Sequence, residues 1–212
     1  MALGRAVLLA ASIALLSPAA AVGADADLEC GAVITEDTTM TGDVDGCSGV
    51  GITVSGGATL DMAGHRVTGG TGATSGVEVG PDATVSGGTV SGFRNGVLTD
   101  GGTVAGMDLR GNEWGVRLDD GSAHGATITR NRITGNGAGV VAGAARGFSI
   151  MHNRIADNER DGIFAGSSND NAVYRDNRLL RNGGYGLFVH DSTSRIVDNR
   201  ASWNGADGMY VA

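Results

Sequence analysis

The sequence contains no lysine, so all 15 basic residues are arginines, and the formal net charge of the 212 residues is −8. Because general nucleic-acid binders take their affinity from a basic face, this balance argues against that class. Proline is scarce, with 2 residues, whereas glycine is abundant, with 38. Collagen is excluded because glycine does not recur at every third position, and disorder is excluded because 41% of the residues are hydrophobic. A turn-rich β architecture remains.

Long apolar runs are missing after residue 26, and the run before it is short. Arg5 precedes the apolar stretch AVLLAASIALL (6–16), which is followed by the small residues of SPAAAVGADA. This order is typical of a secretory signal peptide, and the stretch is too short to span a membrane comfortably. We predict a signal peptide over residues 1–26, cleaved after Ala24 or Ala26, and an exported protein that does not span the membrane afterwards. A retained N-terminal anchor is the alternative.

Cysteine is limited to two residues, Cys30 and Cys47, at the start of the expected mature chain. Export would expose them to an oxidising compartment, which favours a disulfide between them. We therefore predict an N-terminal cap over residues 27–56 that this disulfide closes. A zinc site built on these two residues is not expected, because closed zinc sites need four ligands.

Glycine and asparagine recur through the rest of the chain with one period. A glycine, an apolar residue, a variable residue and usually another apolar residue return in NGAGVVAG, RDGIFAG, GYGLFVHDS and ADGMYVA. The glycine of this phrase lies at Gly76, Gly96, Gly115, Gly139, Gly162, Gly186 and Gly208. Two asparagine markers keep the same phase, at Asn131, Asn153, Asn177 and Asn199 and at Asn136, Asn158, Asn182 and Asn204. Such a period is the signature of a solenoid.

Each repeat contains three short candidate strands, as in ATITR, RITGN and GVVA around Asn131 and Gly139. No stretch after residue 26 holds a 3.6-residue period, so few helices are expected. The sequence thus predicts an all-β protein, a parallel β-helix of about seven coils with its repeats over residues 57–212. Glycine and asparagine are expected to take the left-handed backbone of the turns.

The repeat also predicts which residues stack between coils. Coils about 4.8 Å apart would let the two asparagine columns hydrogen-bond as ladders, and we prefer this interpretation to ligand binding. The expected inward columns are Ile133, Ile155, Leu179 and Ala201, and Ile128, Ile150, Tyr174 and Ile196.

Two stretches carry a family resemblance: the repeat N-R-I-x-x-N-x-x-x-G-[VILM]-x-[VA], and the run CGAVITEDTTMTGDVDGC…GITVSGGATLDMAGHRVTG in residues 30–69. They resemble the right-handed parallel β-helix repeats of the pectin-lyase-like superfamily, in its secreted bacterial form. The resemblance covers residues 30–212 and implies a right-handed helix. It also implies a groove on the outer face of the strand after the repeated glycine, with a polysaccharide or cell-surface glycan as partner. The implied location is secreted or extracellular, the bacterial cell envelope included.

Alternation along that strand gives the residues expected to face the groove. The first outward column is Glu78, Leu98, Arg117, Val141, Phe164, Phe188 and Tyr210. The second, two positions later, is Gly80, Asp100, Asp119, Gly143, Gly166, His190 and Ala212.

An acidic cluster and a histidine are the catalytic candidates. Asp100 and Asp119 fall in adjacent coils, and Asp120 follows Asp119. Carboxylates about 5 Å apart can share a proton, hold Ca²⁺, or act as an acid and a nucleophile. Solvated turn residues are the alternative interpretation. His190 and Asp191 can form an acid/base pair.

One arginine and three aromatic residues are the substrate-binding candidates. Arg117 can bind the carboxylate of a uronate. Phe164, Phe188 and Tyr210 share one outward column, although the whole chain contains only 4 Phe and 3 Tyr. Their rings could stack on sugars, or could be buried under a loop or against a partner chain.

Two classes of function remain open, because the fold does not fix the activity. The first is an exported β-helix that binds glycans or has a structural role at the surface, without a complete catalytic site. The second is a polysaccharide-active enzyme: a uronate lyase, a glycoside hydrolase or an epimerase. A related β-helix family serves copper-site maturation, but four scattered histidines without a Cys or Met cluster argue against metal delivery. No cofactor is expected, with Ca²⁺ at the acidic cluster as the alternative.

The chain stops at GMYVA, inside the strand that defines a coil. An uncapped solenoid end exposes unpaired strand edges and apolar side chains. The sequence is therefore expected to be a fragment, or to self-associate through its C-terminal coil with Phe188, Met209 and Tyr210 contributing.

Overall fold

The structure is a computed structural model that describes residues 24–118, 124–166, 169–190 and 193–212. Within these ranges the chain forms 26 β-strands in three parallel sheets and contains no helix. In particular, no helix in this part of the chain is long and apolar enough to cross a membrane.

Three sheets run along the molecule. Sheet 1 consists of β1 (Ala24–Ala26), β3 (Thr38–Met40), β6 (Thr59–Asp61), β9 (Thr84–Ser86), β12 (Thr103–Ala105), β15 (Thr127–Thr129), β18 (Ser149–Met151), β21 (Val173–Arg175) and β24 (Arg195–Val197). Sheet 2 consists of β4 (Val44–Cys47), β7 (Arg66–Gly69), β10 (Thr89–Ser91), β13 (Asp108–Arg110), β16 (Arg132–Thr134), β19 (Arg154–Ala156), β22 (Arg178–Leu180) and β25 (Arg200–Ser202). Sheet 3 consists of β2 (Ala32–Ile34), β5 (Ile52–Val54), β8 (Ser75–Val79), β11 (Asn95–Thr99), β14 (Trp114–Leu118), β17 (Ala138–Ala142), β20 (Ile163–Ala165), β23 (Leu187–Val189) and β26 (Met209–Val211).

The chain visits the three sheets in turn, so β3 to β26 form eight coils of three strands in the described ranges. The predicted all-β parallel β-helix is confirmed, and the coil number is close to the expected value of about seven. The additional coil lies in residues 27–56, which contribute β2 to β5 to the same three sheets. Strand β1 lies within the predicted signal peptide and pairs with β3, so cleavage after Ala26 would remove one strand of sheet 1.

The core columns follow the predicted register. Ile133 pairs with Ile155 and then Leu179 on sheet 2, and all three are fully buried. The corresponding column of sheet 1 is Ile128, Ile150, Tyr174 and Ile196. The apolar residue after the repeated glycine also points inward, at Val77, Val97, Val116, Val140, Ile163 and Leu187.

The repeated glycine is explained by close packing at the start of the sheet 3 strands. A Cβ added to Gly139 would collide with the carbonyl oxygen of Gly162 and with the side chain of Ile155. Gly115 and Gly162 meet the same obstacle, the carbonyl oxygen of the corresponding glycine in the next coil. The coils could not approach at this corner with any larger residue.

Two asparagine ladders connect the coils, as predicted. In the first, Asn131 Nδ2 donates to Asn153 Oδ1 at 3.1 Å, and the pattern continues through Asn177 to Asn199. The second runs through Asn112, Asn136, Asn158, Asn182 and Asn204. Each of these links is reinforced, because the same Oδ1 also accepts the backbone N–H of the preceding asparagine, as Asn153 Oδ1 does for Asn131.

The turns differ from the prediction in one respect. The left-handed residue is the one before each ladder asparagine, for example His152 with φ 59° and Asp157 with φ 58°. The ladder asparagines themselves do not have positive φ. Their side chains are engaged in the ladders and in bonds to backbone carbonyls, such as Asn153 Nδ2 to Ile128 O at 2.9 Å. These bonds hold the preceding residue in a conformation that is unfavourable for most side chains.

The last coil exposes more apolar surface than the others described. Trp203 is 85% exposed, and the three residues of β26, Met209, Tyr210 and Val211, are 43%, 40% and 56% exposed. Self-association through this coil stays a prediction.

We predict that Asn153→Ala lowers the free energy of unfolding by about 3 kcal/mol, since several buried polar groups lose their partner. They include both donors of Asn131 and the carbonyl of Ile128. Urea denaturation followed by circular dichroism measures the loss. Asn199→Ala, at the partly exposed end of the ladder, is the matched control and should cost less. Equal losses in the two variants would contradict a special role for the buried ladder.

Cys30 and Cys47 form the predicted disulfide, which closes a loop with a sequence separation of 17 residues. We expect no labelled thiol by mass spectrometry when exported protein is alkylated without reduction. The double variant Cys30→Ser/Cys47→Ser should lose about 3 kcal/mol of stability in the chain-entropy model. Two labelled thiols in the exported protein would show that the bond does not form.

Candidate functional site

The first outward column predicted from the sequence lies in register on sheet 3. Glu78, Leu98, Arg117, Val141, Phe164, Phe188 and Tyr210 are paired in this order across neighbouring strands. Thr53 continues the column on the other side of Glu78. The column therefore changes from a mixture of polar, charged and aliphatic residues in the earlier coils to aromatic residues in the last three.

The three aromatic residues of this column form one stack. The ring centroids of Phe164 and Phe188 are 5.1 Å apart with an interplanar angle of 7°, and those of Phe188 and Tyr210 are 5.3 Å apart with an angle of 8°. Tyr185 lies beside the stack, tilted against Phe188 and Tyr210. The sequence analysis missed Tyr185, which lies three positions before Phe188 at the start of the same pass through sheet 3.

Mutual stacking decides which ring surfaces remain for a ligand. Both faces of Phe188 are covered, one by Phe164 and the other by Tyr210. Phe164 keeps the face that points towards Val141, its neighbour in the preceding coil. The aromatic column therefore presents a ring face at its Phe164 end, while the middle of the column offers only ring edges.

A cavity of about 260 Å³ lies at that free end. It is lined by Trp114, Ala138, Val141, Arg160, Asp161 and Phe164. The small residues Ala138 and Val141 form the middle of the cavity, because their strand β17 lies between the strands of Trp114 and Phe164. Two large aromatic side chains thus flank a depression in the surface of sheet 3.

Trp114 is the central residue that the sequence analysis did not select. The guanidinium carbons of Arg94 and Arg117 lie 5.0 Å and 4.8 Å from the centroid of its ring. Such cation–π contacts hold the long arginine side chains against the indole. The sequence offered one signal for this residue, because Trp114 directly precedes the glycine of the repeated phrase. In the structure Trp114 pairs with Ala138, which precedes the same glycine in the next coil.

A second depression, of about 230 Å³, lies on the same sheet in the early coils. Glu78 and Asp100 both line it, together with Thr53, Ser55 and Leu98. One carboxylate oxygen of Asp100 is buried and has no hydrogen-bond partner among the described residues. The carboxylate that shares this cavity with Asp100 is Glu78, which the sequence analysis placed in the column without giving it a role.

The other catalytic candidates are not brought together with Asp100 in the described ranges. Asp119, Asp120 and Asp191 lie outside the described residues. His190 follows β23, where its backbone N–H donates to Ala165 O at 3.0 Å, on the aromatic side of the column. The predicted acidic cluster and the predicted His190–Asp191 pair both stay predictions.

Sheet 2 carries the ion pairs with shifted pKa values. The backbone N–H of Arg66 and the ring of His65 hydrogen-bond to Asp43 and lower the pKa of that carboxyl group. The guanidinium of Arg66 and the hydroxyl of Thr68 lower the pKa of Asp45 in the same way.

A second pair lies in the later coils. Arg181 donates two hydrogen bonds to Asp157, at 2.7 Å and 2.8 Å, and lowers the pKa of its carboxyl group.

A family model described as "Periplasmic copper-binding protein (NosD)" matches residues 30–211, so the chain belongs to the NosD family. This match confirms the resemblance to parallel β-helix repeat proteins and identifies the family as a copper-related one, which the sequence analysis had set aside on its scattered histidines. Among solved structures, the chain is similar to the crystal structure of the Dettilon tailspike protein (gp208), with a TM-score of 0.67 and 16% identity. The alignment covers 82% of this chain and 40% of the tailspike chain. No match was found among curated proteins.

The family description names copper, but the donor groups of the described residues do not fit a resident copper ion. Both cysteines are in the disulfide, and no group of three or more His, Cys, Asp or Glu in the described ranges could hold a metal. His65 contacts Asp43, and His152 contacts Asp176, on different coils. Copper sites use imidazole, thiolate or thioether ligands gathered at one point, which these positions do not provide.

The hydrogen bonds and ion pairs of Asp43 and Asp45 predict that the stability of the folded protein depends on pH. Since the folded-state pKa values of Asp43 and Asp45 lie below the usual value, their contribution to stability is complete above about pH 4 and is lost as the pH falls further. Asp43→Asn/Asp45→Asn should therefore flatten the fall in unfolding free energy between about pH 4 and pH 2. Glu29→Gln/Glu36→Gln removes the same number of carboxylates nearby and should retain the wild-type slope. If the unfolding free energy falls equally steeply with pH in the wild type and both double variants, Asp43 and Asp45 are not the source of the pH dependence.

Proposed function

We propose that this member of the NosD family is an exported β-helix protein that binds a glycan along the outer face of sheet 3, without a catalytic step of its own. The observation that carries the proposal is the cavity between Trp114 and Phe164 at the free end of the aromatic stack. The intramolecular disulfide and the periplasmic description of the family support the export of the protein.

The shape and lining of the cavity suit one sugar ring. Its volume of about 260 Å³ lies near the lower end of small-molecule pockets. Sugar rings present apolar C–H faces, which pack on aromatic rings and on small aliphatic side chains such as those of Ala138 and Val141. Arg160 and Asp161 at the cavity supply a donor and an acceptor for the hydroxyl groups around the ring.

The rest of the column suits an extended ligand. Arg117 lies one coil before Val141 and would face a carboxylate if the bound sugar is a uronate. Beyond Phe164, the half-buried Phe188 and the exposed Tyr210 continue an apolar strip over two more coils. A chain lying along the helix axis would contact these residues in succession, as a linear polymer does.

A polysaccharide-active enzyme is the second candidate, and one observation favours it. Glu78 and Asp100 share a cavity, and one oxygen of Asp100 is buried without a hydrogen-bond partner among the described residues. Unpaired buried carboxylate oxygens are costly and occur at catalytic and ion-binding positions. A depolymerisation screen of polyuronides with and without Ca²⁺, comparing the wild type with Asp100→Asn, separates the two functions. Cleavage that Asp100→Asn abolishes would replace the binding proposal with the enzymatic one.

We predict that Trp114→Ala and Phe164→Ala each weaken glycan binding about tenfold, because each removes one aromatic wall of the cavity. Binding is measured by affinity electrophoresis and calorimetry against a panel of neutral and uronate polysaccharides. Trp203→Ala is the matched control, since it removes an indole that is 85% exposed and lies outside sheet 3. It should leave binding unchanged.

Stability measurements on the same variants complete the test. Phe188→Ala, which removes the ring stacked on both sides, should lower the melting temperature more than Trp114→Ala does. The proposal fails if no glycan of the panel binds, or if Trp203→Ala weakens binding as much as the two cavity variants.

A further inference from the structure

The outer face of sheet 2 carries an arginine in each of the last four coils. Arg132, Arg154, Arg178 and Arg200 are directly opposite one another in successive pairs of strands. Neighbouring strands lie about 4.8 Å apart, so these four residues form a straight row roughly 14 Å long. We call this row the arginine ladder.

The two halves of the arginine ladder differ in how their charge is compensated. Arg132 Nε lies 3.8 Å from a carboxylate oxygen of Asp108, and both Arg132 and Arg154 act electrostatically on Asp157. Arg178 and Arg200 make no ion pair and no side-chain hydrogen bond among the described residues. The two arginines without a direct ion-pair partner among the described residues are therefore those of the last two coils.

Arginines in this arrangement repel one another. Like charges directly opposite across a pair of strands are destabilising, and here the repulsion is repeated from coil to coil. The chain nevertheless places four arginines in one row while its net charge is −8. A row of anionic groups at a similar spacing would relieve the repulsion and would bind through charge-assisted hydrogen bonds.

A cavity of about 560 Å³ adjoins Arg178 and Arg200. It is lined by Asp176, Asn177, Arg178, Asp198, Asn199 and Arg200. The carboxylates of Asp176 and Asp198 belong to the turns before sheet 2, where both residues have positive φ, and the arginines belong to the strands after them. The two asparagines direct their amides into the ladder that connects the coils. Two guanidinium groups and two carboxylates thus line the cavity, and the Asp176 carboxylate also lies 3.7 Å from His152 Nδ1 and 4.0 Å from Arg175 Nε.

We propose that the arginine ladder binds an acidic polysaccharide, whose carboxylate or sulfate groups are held by Arg178 and Arg200 while its hydroxyl groups donate to Asp176 and Asp198. A sugar polymer with acid groups offers both functions on neighbouring atoms. Polyphosphate offers acceptors alone and would be repelled by the two carboxylates. This site lies on a different sheet from the Trp114–Phe164 cavity and does not depend on the function proposed for sheet 3.

The proposal is tested with the full exported protein and four polymers of defined chemistry: polygalacturonate, dextran sulfate, uncharged dextran and polyphosphate. Arg178→Gln/Arg200→Gln should weaken binding of the two acidic polysaccharides about tenfold at low salt, because two charge-assisted contacts are lost. Its affinity should also depend less steeply on salt, since fewer counterions are released. Arg146→Gln/Arg195→Gln changes the net charge equally, away from sheet 2, and should bind like the wild type.

Two further readouts make the result decisive. The melting temperature of Arg178→Gln/Arg200→Gln should stay the same or rise, because like charges have been removed from neighbouring strands. Trp114→Ala should bind dextran sulfate through the ladder as the wild type does, which separates this site from the sheet 3 site.

The proposal is overturned by any of four results. These are no binding of either acidic polysaccharide, equal weakening in both arginine double variants, polyphosphate binding as tight as that of the acidic polysaccharides, and a melting temperature lowered by several degrees in Arg178→Gln/Arg200→Gln.

Discussion

The hydrogen bonds that connect each coil to the next are the constraint on which the other features depend. In the two asparagine ladders, one Oδ1 accepts both the side-chain and the backbone donor of the preceding asparagine. This arrangement is possible only when neighbouring coils are in phase at that turn. A shift by one residue would separate buried donors from acceptors and would turn the core columns outward.

Because the coils are in phase, residues of one type accumulate in straight columns on the outer faces of the sheets. Sheet 3 collects aromatic residues in its last three coils, where the rings stack on one another. Sheet 2 collects arginines in its last four coils, where like charges face one another. The same geometry therefore stabilises one surface and strains the other, and both surfaces suit ligands that are themselves linear and periodic.

The metal named in the family description is not matched by the donor groups of the described residues. The family description names copper, whereas the cysteines form a disulfide and the histidines lie on separate coils. The similarity to a tailspike protein at 16% identity concerns the fold. The function of this chain is therefore best sought in the surfaces of its sheets, where the residues that differ from coil to coil are found.

The sequence by itself determined the path of the chain and the membership of its columns. The recurring Gly and Asn positions predicted three strands in each coil, the asparagine ladders and the column from Glu78 to Tyr210. Because each coil repeats the same turns and hydrogen bonds, the residues that form them recur in the sequence with one period. The earliest coil escaped detection as a coil because residues 27–56 lack the asparagine markers, although Gly51 occupies the position of the repeated glycine beside Gly76.

Only the tertiary structure decided which surfaces of the column residues are available. That Phe188 has both faces covered while Phe164 has one free depends on ring orientations, which no period records. The cavity beside Trp114 arises from the small residues Ala138 and Val141 between two large rings on neighbouring coils. Glu78 and Asp100 likewise line one depression, although the two residues lie diagonally from one another on neighbouring coils. Columns are set by backbone register and can be derived from spacing, whereas a binding site is set by side-chain volumes and angles between coils, which appear only when the coils are stacked.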